Sequence, residues 1–326
     1  MQLAKKAFRH ELTSVILPLV ILFLALIVSS PGFLSAYNIT SQLQSITIYM
    51  IIGLAQMTAL SLGHLNLAIG SIGSLTSILM GYSMQEMGVP VLPALLIGLV
   101  VATICGFFQG LLITRSRISP FIISLALLSI YKGIGVVISR GVPFDGLPDA
   151  IKLFNRAKAG VVPVTFFVAL ATAIMVYIIF RYSKTGLRVE ATGANPRAAL
   201  YSGIQVKSTV VIGHSLSGLL CGIAAIIQTA RFGSAQISVG DDWMLTSFVV
   251  AVLGGTLLSG GKASTVGAVL GSVLMVLINN ALILWNVNTY MFPAILGIVL
   301  LSAYEVDRGR LNLIKRQSEL EIDNEK

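Results

Sequence analysis

The chain has 326 residues, 56% of them hydrophobic and 11% charged, with a formal net charge of +9. A soluble domain carries about 25% charged residues, whereas here no Asp, Glu, Lys or Arg occurs from Thr13 to Gln85, a run long enough for about three membrane spans. These numbers exclude a soluble enzyme and describe an all-α polytopic membrane protein.

Ten apolar stretches follow in chain order: 13–30, 43–62, 66–84, 92–113, 119–138, 161–180, 208–229, 243–258, 264–284 and 290–304. Backbone groups in lipid must find partners within their own segment, so the stretches are read as helices; none has the alternating pattern of a barrel strand. Lys5, Lys6 and Arg9 precede the first stretch as they would a signal peptide. Its apolar run is longer than a signal core, so it is read as an uncleaved anchor. Cys105 and Cys221 both fall inside apolar stretches and imply neither a disulfide nor a metal site.

Orientation follows from the basic residues. With both termini cytoplasmic, 16 of the 22 Lys and Arg lie inside. The positive charge is then topological, and the bilayer rather than nucleic acid is the implied surface. The longest interior segment, 181–207, reads RYSKTGLRVEATGANPRAALYSGIQVK, and residues 305–326 form a cytoplasmic tail on a single transmembrane domain spanning 1–326. Within the interior segment Asn195 is placed to cap a short helix whose first residue is Pro196, an arrangement in which proline loses no hydrogen bond. Gly203 supplies the stop.

Outside, the loop 140–160 carries Asp145, Asp149, Lys152, Arg156 and Lys158, and a second outward segment carries Arg231, Asp241 and Asp242. In the stretch LGHLNLAIGS at 62–71, His64 and Asn66 interrupt apolar sequence, as Asn279 and Asn280 do near the end of the ninth stretch. Polar groups at membrane depth face a cavity or a neighbouring helix, which makes these four candidates for a solute pathway. His10, His64 and His214 are the only histidines and no sequence spacing pairs them, so no metal site is expected.

The run LSGGK at 258–262 differs by one residue from an ATPase signature, yet it lies between two apolar stretches. A P-loop needs Gly five residues before Gly261 and Ser or Thr after Lys262; Thr256 and Ala263 stand there. Gly260 and Gly261 are read as reversing the chain at the cytoplasmic face, with Lys262 reaching toward headgroups.

The same residues have another context. Gly255, Leu258 to Gly261, Lys262, Ser264, Gly267, Leu270-Gly271 and Asn279-Asn280 form a block that resembles permeases of the ribose-type branch of bacterial ABC importers. Similar blocks occur in order: GHLNLAIGSIGSL at 63–75, RISPFIISLALLSIYKG at 117–133, TGLRVEATGANPRAALYSGIQV at 185–206 and SGLLCGIAAIIQTARFGSAQ at 217–236. Where this family commonly has an acidic residue followed by Leu-Ser, the chain has Asn66, Leu67 and Ala68, and His64 stands where Gly is frequent.

The resemblance implies a type II ABC-importer-like permease of about ten transmembrane helices in the bacterial cytoplasmic (inner) membrane. It would move a monosaccharide or similar small polar solute, and it would be a pore rather than an enzyme. ATP and Mg would be bound by separate cassette ATPase subunits. The other implied partners are an extracytoplasmic substrate-binding protein and a second permease copy or paralogue. In this reading the 181–207 segment is the coupling loop, with Glu190, Asn195, Pro196, Arg197, Ala198, Ala199, Ser202 and Gly203 meeting the ATPase. Asp145, Asp149, Lys152, Arg156, Lys158, Asp241 and Asp242 would dock the binding protein. The competing class is a self-sufficient secondary transporter or channel. Such proteins often carry intramembrane carboxylates, whereas the sequence places nearly every Asp and Glu in a loop or tail.

Two outcomes are expected. A cysteine at Asp149 should react rapidly with an impermeant reagent on intact cells, and protection there would overturn the topology. Lys262→Ala should leave nucleotide affinity of the assembled complex nearly unchanged, as measured by nucleotide binding to the purified complex.

Overall fold

A computed structural model describes residues 2–298 and 301–302. The tail at 305–326 lies outside the described residues. Twelve helices are named: α1 (Gln2–Ser29), α2 (Ala36–Ser61), α3 (Ile69–Gln85), α4 (Val91–Arg115), α5 (Pro120–Ser139), α6 (Asp149–Arg156), α7 (Val164–Tyr182), α8 (Lys184–Ala194), α9 (Pro196–Tyr201), α10 (Val206–Phe232), α11 (Trp243–Leu253) and α12 (Thr265–Leu284). A short antiparallel hairpin joins β1 (Lys158–Ala159) to β2 (Val162–Pro163).

Among the described residues, six helices are long and apolar enough to cross a membrane: α2, α4, α5, α7, α10 and α12. They coincide with six of the ten apolar stretches. The apolar part of α1 runs from Val15 to Ser29, α3 has 17 residues and α11 only 11. The tenth stretch begins with a 3-10 turn, Thr289–Met291, and continues helically over 292–298. The stretch expected at 243–258 is therefore helical only to Leu253, because Gly254 and Gly255 end it.

Helix α2 is the axis of the fold. Every residue from Ile46 to Ser61 is buried, and 83% of its most apolar window is enclosed, against 28% for α4, α5 and α7. It packs against α10, α11, α12 and α7. Peripheral α4, α5 and α7 present Ile, Leu, Val and Phe outward, as helices in hydrocarbon do.

The tightest pairing joins α4 to α10 through two GxxxG sequences, Gly106 to Gly110 and Gly218 to Gly222. A side chain at Gly106 would strike the His214 backbone, and one at Gly218 would strike the Ala102 backbone. Association in lipid depends on van der Waals contact rather than on expulsion of water, so small residues that let backbones touch are what hold such helices together.

Gly218→Leu is expected to destabilise the protein by about 1–3 kcal/mol, the usual cost of overpacking. Gly133→Leu, on an open face of α5 with nothing within 4 Å, should be tolerated. Unfolding midpoints in detergent for the two variants check this; equal midpoints would contradict the packing argument.

Candidate translocation pathway and coupling face

On the coupling face, Ser183 begins α8, its hydroxyl accepting from the amides of Thr185 and Gly186. Asn195 then begins α9: its Oδ1 accepts from the amides of Arg197 and Ala198, each at 3.1 Å, with Pro196 at the first helical position. The helix ends one residue earlier than expected, at Tyr201, and Ser202 donates its amide to Ala198. Gly203 follows with φ 82°.

Two assignments on this face are corrected. Ala199 is 4% exposed and points into the protein, whereas Leu200 and Tyr201 are 61% and 90% exposed. A six-residue helix has one inward residue per turn, and packing on the bundle selects Ala199 for it. Leu200 and Tyr201 are the apolar side chains offered outward, which sequence reasoning missed. Glu190 does not reach out to a partner: its Oε1 accepts the amide of Ala263 at 2.9 Å and ties α8 to the turn before α12.

That turn contains the LSGGK run, and its glycines pack closely on neighbouring backbone. The Gly261 amide donates to Ser61 O at 3.0 Å. A side chain at Gly193 would strike Ser61 and Gly261, and one at Gly260 would strike Gly63 and Gly193. The end of α2, the end of α8 and this turn meet through backbone atoms and the small Ala194 side chain.

Beyond this junction lie the candidate pathway residues. His64 Nδ1 lies 3.1 Å from His214 Nε2, the rings stacked with centroids 5.4 Å apart. The reading that nothing pairs the histidines is corrected, since folding joins two that are 150 positions apart. Among the described residues no group of three His, Cys, Asp or Glu could hold a metal. Asn66 is 1% exposed and fully engaged: it donates to Ser217 Oγ at 3.3 Å, and its Oδ1 accepts from Gln109 Nε2 and the Ala68 amide, both at 3.0 Å. In this structure Asn66 has dedicated partners. Asn280 exchanges two amide hydrogen bonds with Asn38, at 2.8 and 3.3 Å, and so joins α12 to α2. Its neighbour Asn279 is partly open, next to the Tyr49 phenol.

On the outer loop, Asp145, Asp149, Arg156 and Lys158 are exposed and Lys152 partly so, with Lys152 3.8 Å from Asp149. Asp241 and Asp242 are not on that face. After α10 the chain turns back and runs along α3: Ala235 packs at Gly81, Ile237 O accepts from Ser74 Oγ at 2.8 Å, and Gly240 packs at Gly70. Gly70 is roughly 22 Å along α3 from Gln85, at 1.5 Å per residue. The two aspartates therefore lie at a level far along α3 from Gln85, where both are exposed, and Asp241 pairs with Lys132 of α5 at 2.7 Å, each side chain about half exposed. Both lie in the loop between α10 and α11, as the sequence places them, but that loop runs along α3 rather than away from the helices. Lys132 was also missed; its signal was a lone charge inside an apolar stretch.

The family described as branched-chain amino acid transport system / permease component matches residues 38–304. The ribose import permease protein RbsC of Bacillus subtilis (strain 168) is 33% identical, over 90% of this chain and 92% of that protein. The D-allose transport system permease protein AlsC of Escherichia coli (strain K12) is 29% identical over 85% of each chain. The fructose import permease protein FruG of Bifidobacterium longum (strain NCC 2705) is 28% identical over 83% of this chain and 84% of that protein. No solved structure matches the chain. A bundle of apolar helices around a buried axis, with paired polar residues in its interior and the family's match across most of its length, places this chain in the branched-chain amino acid transport system / permease component family.

Proposed function

We propose that the protein is the membrane-spanning permease of an ABC importer for a monosaccharide, powered by separate cassette ATPase subunits inside and loaded by a binding protein outside. The likeness to ribose, allose and fructose permeases supports the solute class. In this reading the bundle crosses the bacterial inner membrane ten times with both termini inside. The segment 233–242 and α11 together make one crossing, since about 16 Å of α11 alone is half a bilayer. ATP and Mg belong to the ATPases, and a second permease copy or paralogue completes the pore.

The observation that carries the coupling assignment is the outward face of α9. Leu200 and Tyr201 project beside Arg197, and a groove lined by Pro196, Leu200, Gln205, Val206 and Lys207 runs next to them. Two exposed apolar side chains on a rigid capped helix, flanked by cations, suit insertion into a cleft on an ATPase. Asn195, Ser202 and Gly203 set the helix ends, and Ala198 allows close approach.

A second reading has one observation in its favour. Lys132, Asp241 and Asp242, far along α3 from its Gln85 end, are charged groups that an ion-coupled secondary transporter could use. Proteoliposomes separate the two: uptake should require ATP and the ATPase, and uptake driven by a proton or sodium gradient alone would favour the second reading.

Leu200→Glu combined with Tyr201→Ala should lower ATPase co-purification and ATP-driven uptake together, by roughly tenfold or more, because each buried large side chain is worth about 1.5–3 kcal/mol. Full association and coupling in that variant would place power transmission elsewhere. Ala199→Glu is a poorer test, since it would disrupt the seat of α9 on its own chain.

A further inference from the structure

Helix α11 begins at the buried Trp243, and the groups just before it form a cluster that shares only Asn279 with the pathway candidates and nothing with the coupling face. The Tyr49 hydroxyl lies 3.5 Å from Asp242 Oδ2. One turn outward on the same face of α2, Ser45 Oγ accepts from Arg231 Nη1 at 3.3 Å. Asn279 of α12 stands at the same phenol. Asp242 is exposed, while Arg231, Ser45 and Asn279 are partly open.

The two contacts are long and leave most of the cluster's hydrogen-bonding capacity unused. A carboxylate offers about four acceptor sites and a guanidinium five donors in a fixed fork. Further along the same two helices, Gln56 of α2 and Thr246 of α11 are fully buried, and the Gln56 amide and the Thr246 hydroxyl have no partner. Buried polar groups without partners cost about 1–3 kcal/mol each. Such a cost is offset where the groups find partners in another conformation or in a passing solute.

Charge decides the ligand class. Arg231 and Asp242 balance each other, and Lys132 balances Asp241 beside them, so the cluster selects neither an anion nor a cation. It combines acceptors, donors and an aromatic ring edge in a neutral whole, which suits adjacent hydroxyl groups on a neutral ring.

We propose that Ser45, Tyr49, Arg231, Asp242 and Asn279 form a low-affinity subsite inside the bundle that binds a neutral polyhydroxylated solute, Asp242 accepting from two vicinal hydroxyls and Arg231 and Asn279 donating to others. The proposal rests on the sugar-permease reading above and adds the residues that meet the sugar.

The test uses the assembled complex of permease, ATPase and binding protein. Ser45→Cys or Asn279→Cys is introduced with Cys105 and Cys221 replaced by Ala, and reaction with a charged methanethiosulfonate is timed. Both cysteines should react, and millimolar D-ribose, D-allose or D-fructose should slow the reaction severalfold where equal osmolarity of KCl does not. Adding Asp242→Asn should abolish that protection. Cysteines that never react, or rates indifferent to all three sugars, would overturn the subsite.

A transport arm reads the importer assignment separately. If the unmodified complex takes up none of the three sugars with ATP, the assignment of function fails, and protection from labelling still decides the subsite. Where uptake occurs, Asp242→Asn and Tyr49→Phe should each lower it about tenfold, the effect of losing one strong hydrogen bond. Asp242→Glu should restore part of it, and wild-type uptake in both variants would count against the site. Co-purification of the ATPase with each variant verifies that it is assembled.

Discussion

Non-helical backbone inside a membrane protein must be enclosed by protein, because lipid offers its amides and carbonyls nothing. That constraint governs the segment from Gly233 to Asp242, and much else depends on it. The segment descends along α3, where Gly70 and Gly240 touch backbone to backbone and Ser74 donates to Ile237 O. Gly240 has φ 90°, a conformation that a side chain would strain, and a side chain there would also strike Gly70. Only because this descent is possible can α11 begin beside Tyr49 and bring Asp242 to the Tyr49 hydroxyl.

The same economy of side chains recurs wherever the bundle is tight. The α4–α10 contact, the Gly254–Gly267 contact and the Ser61–Gly193–Gly261 junction are all backbone against backbone. Polar side chains then specify which helices meet: Asn66 with Gln109 and Ser217, Ser77 with Thr229 at 2.7 Å, Asn38 with Asn280. Interhelical hydrogen bonds of this kind contribute modestly, about 0.6 kcal/mol on average, so close packing supplies most of the association and the polar pairs supply register.

Much of this was legible in the sequence. Six apolar stretches became the six long helices with ends displaced by a few residues, because apolar runs of that length have one stable form in lipid. The start of α9 was legible as well, since an Asn-Pro step sets a local structure with its own hydrogen bonds. What could not be read was set by tertiary contact. Nothing local distinguishes a Gly-, Ser- and Asp-containing loop on the surface from one that folds back along a helix. No spacing relates His64 to His214. Which side of α9 faces inward depends on what lies beneath it, and Ala198 and Ala199 are interchangeable by propensity. Asn279 and Asn280 were found together by residue type, and their separation into an open group and a helix–helix tie needed the rotation of α12.

The junction at the end of α2 bears on how a push at α9 would reach the interior. Gly193, at the end of α8, has the Ser61 and Gly261 backbones directly against it, a contact stiffer than one made through long side chains. Helix α2 continues from Ser61 to Tyr49 and Ser45 without proline or a break, and a helix transmits axial and tilting motion over that length as a rod. The facing helix α11 is anchored differently: Gly254 rests on Gly267 at one end, and Trp243 rests on Gly73 at the other. A displacement delivered through α8 therefore moves α2 against α11, which is the seam on which Tyr49 meets Asp242 and along which the Gln56 amide and the Thr246 hydroxyl lie unpartnered. The helix that would receive such a push, α2, also carries Ser45 and Tyr49 of the polar cluster.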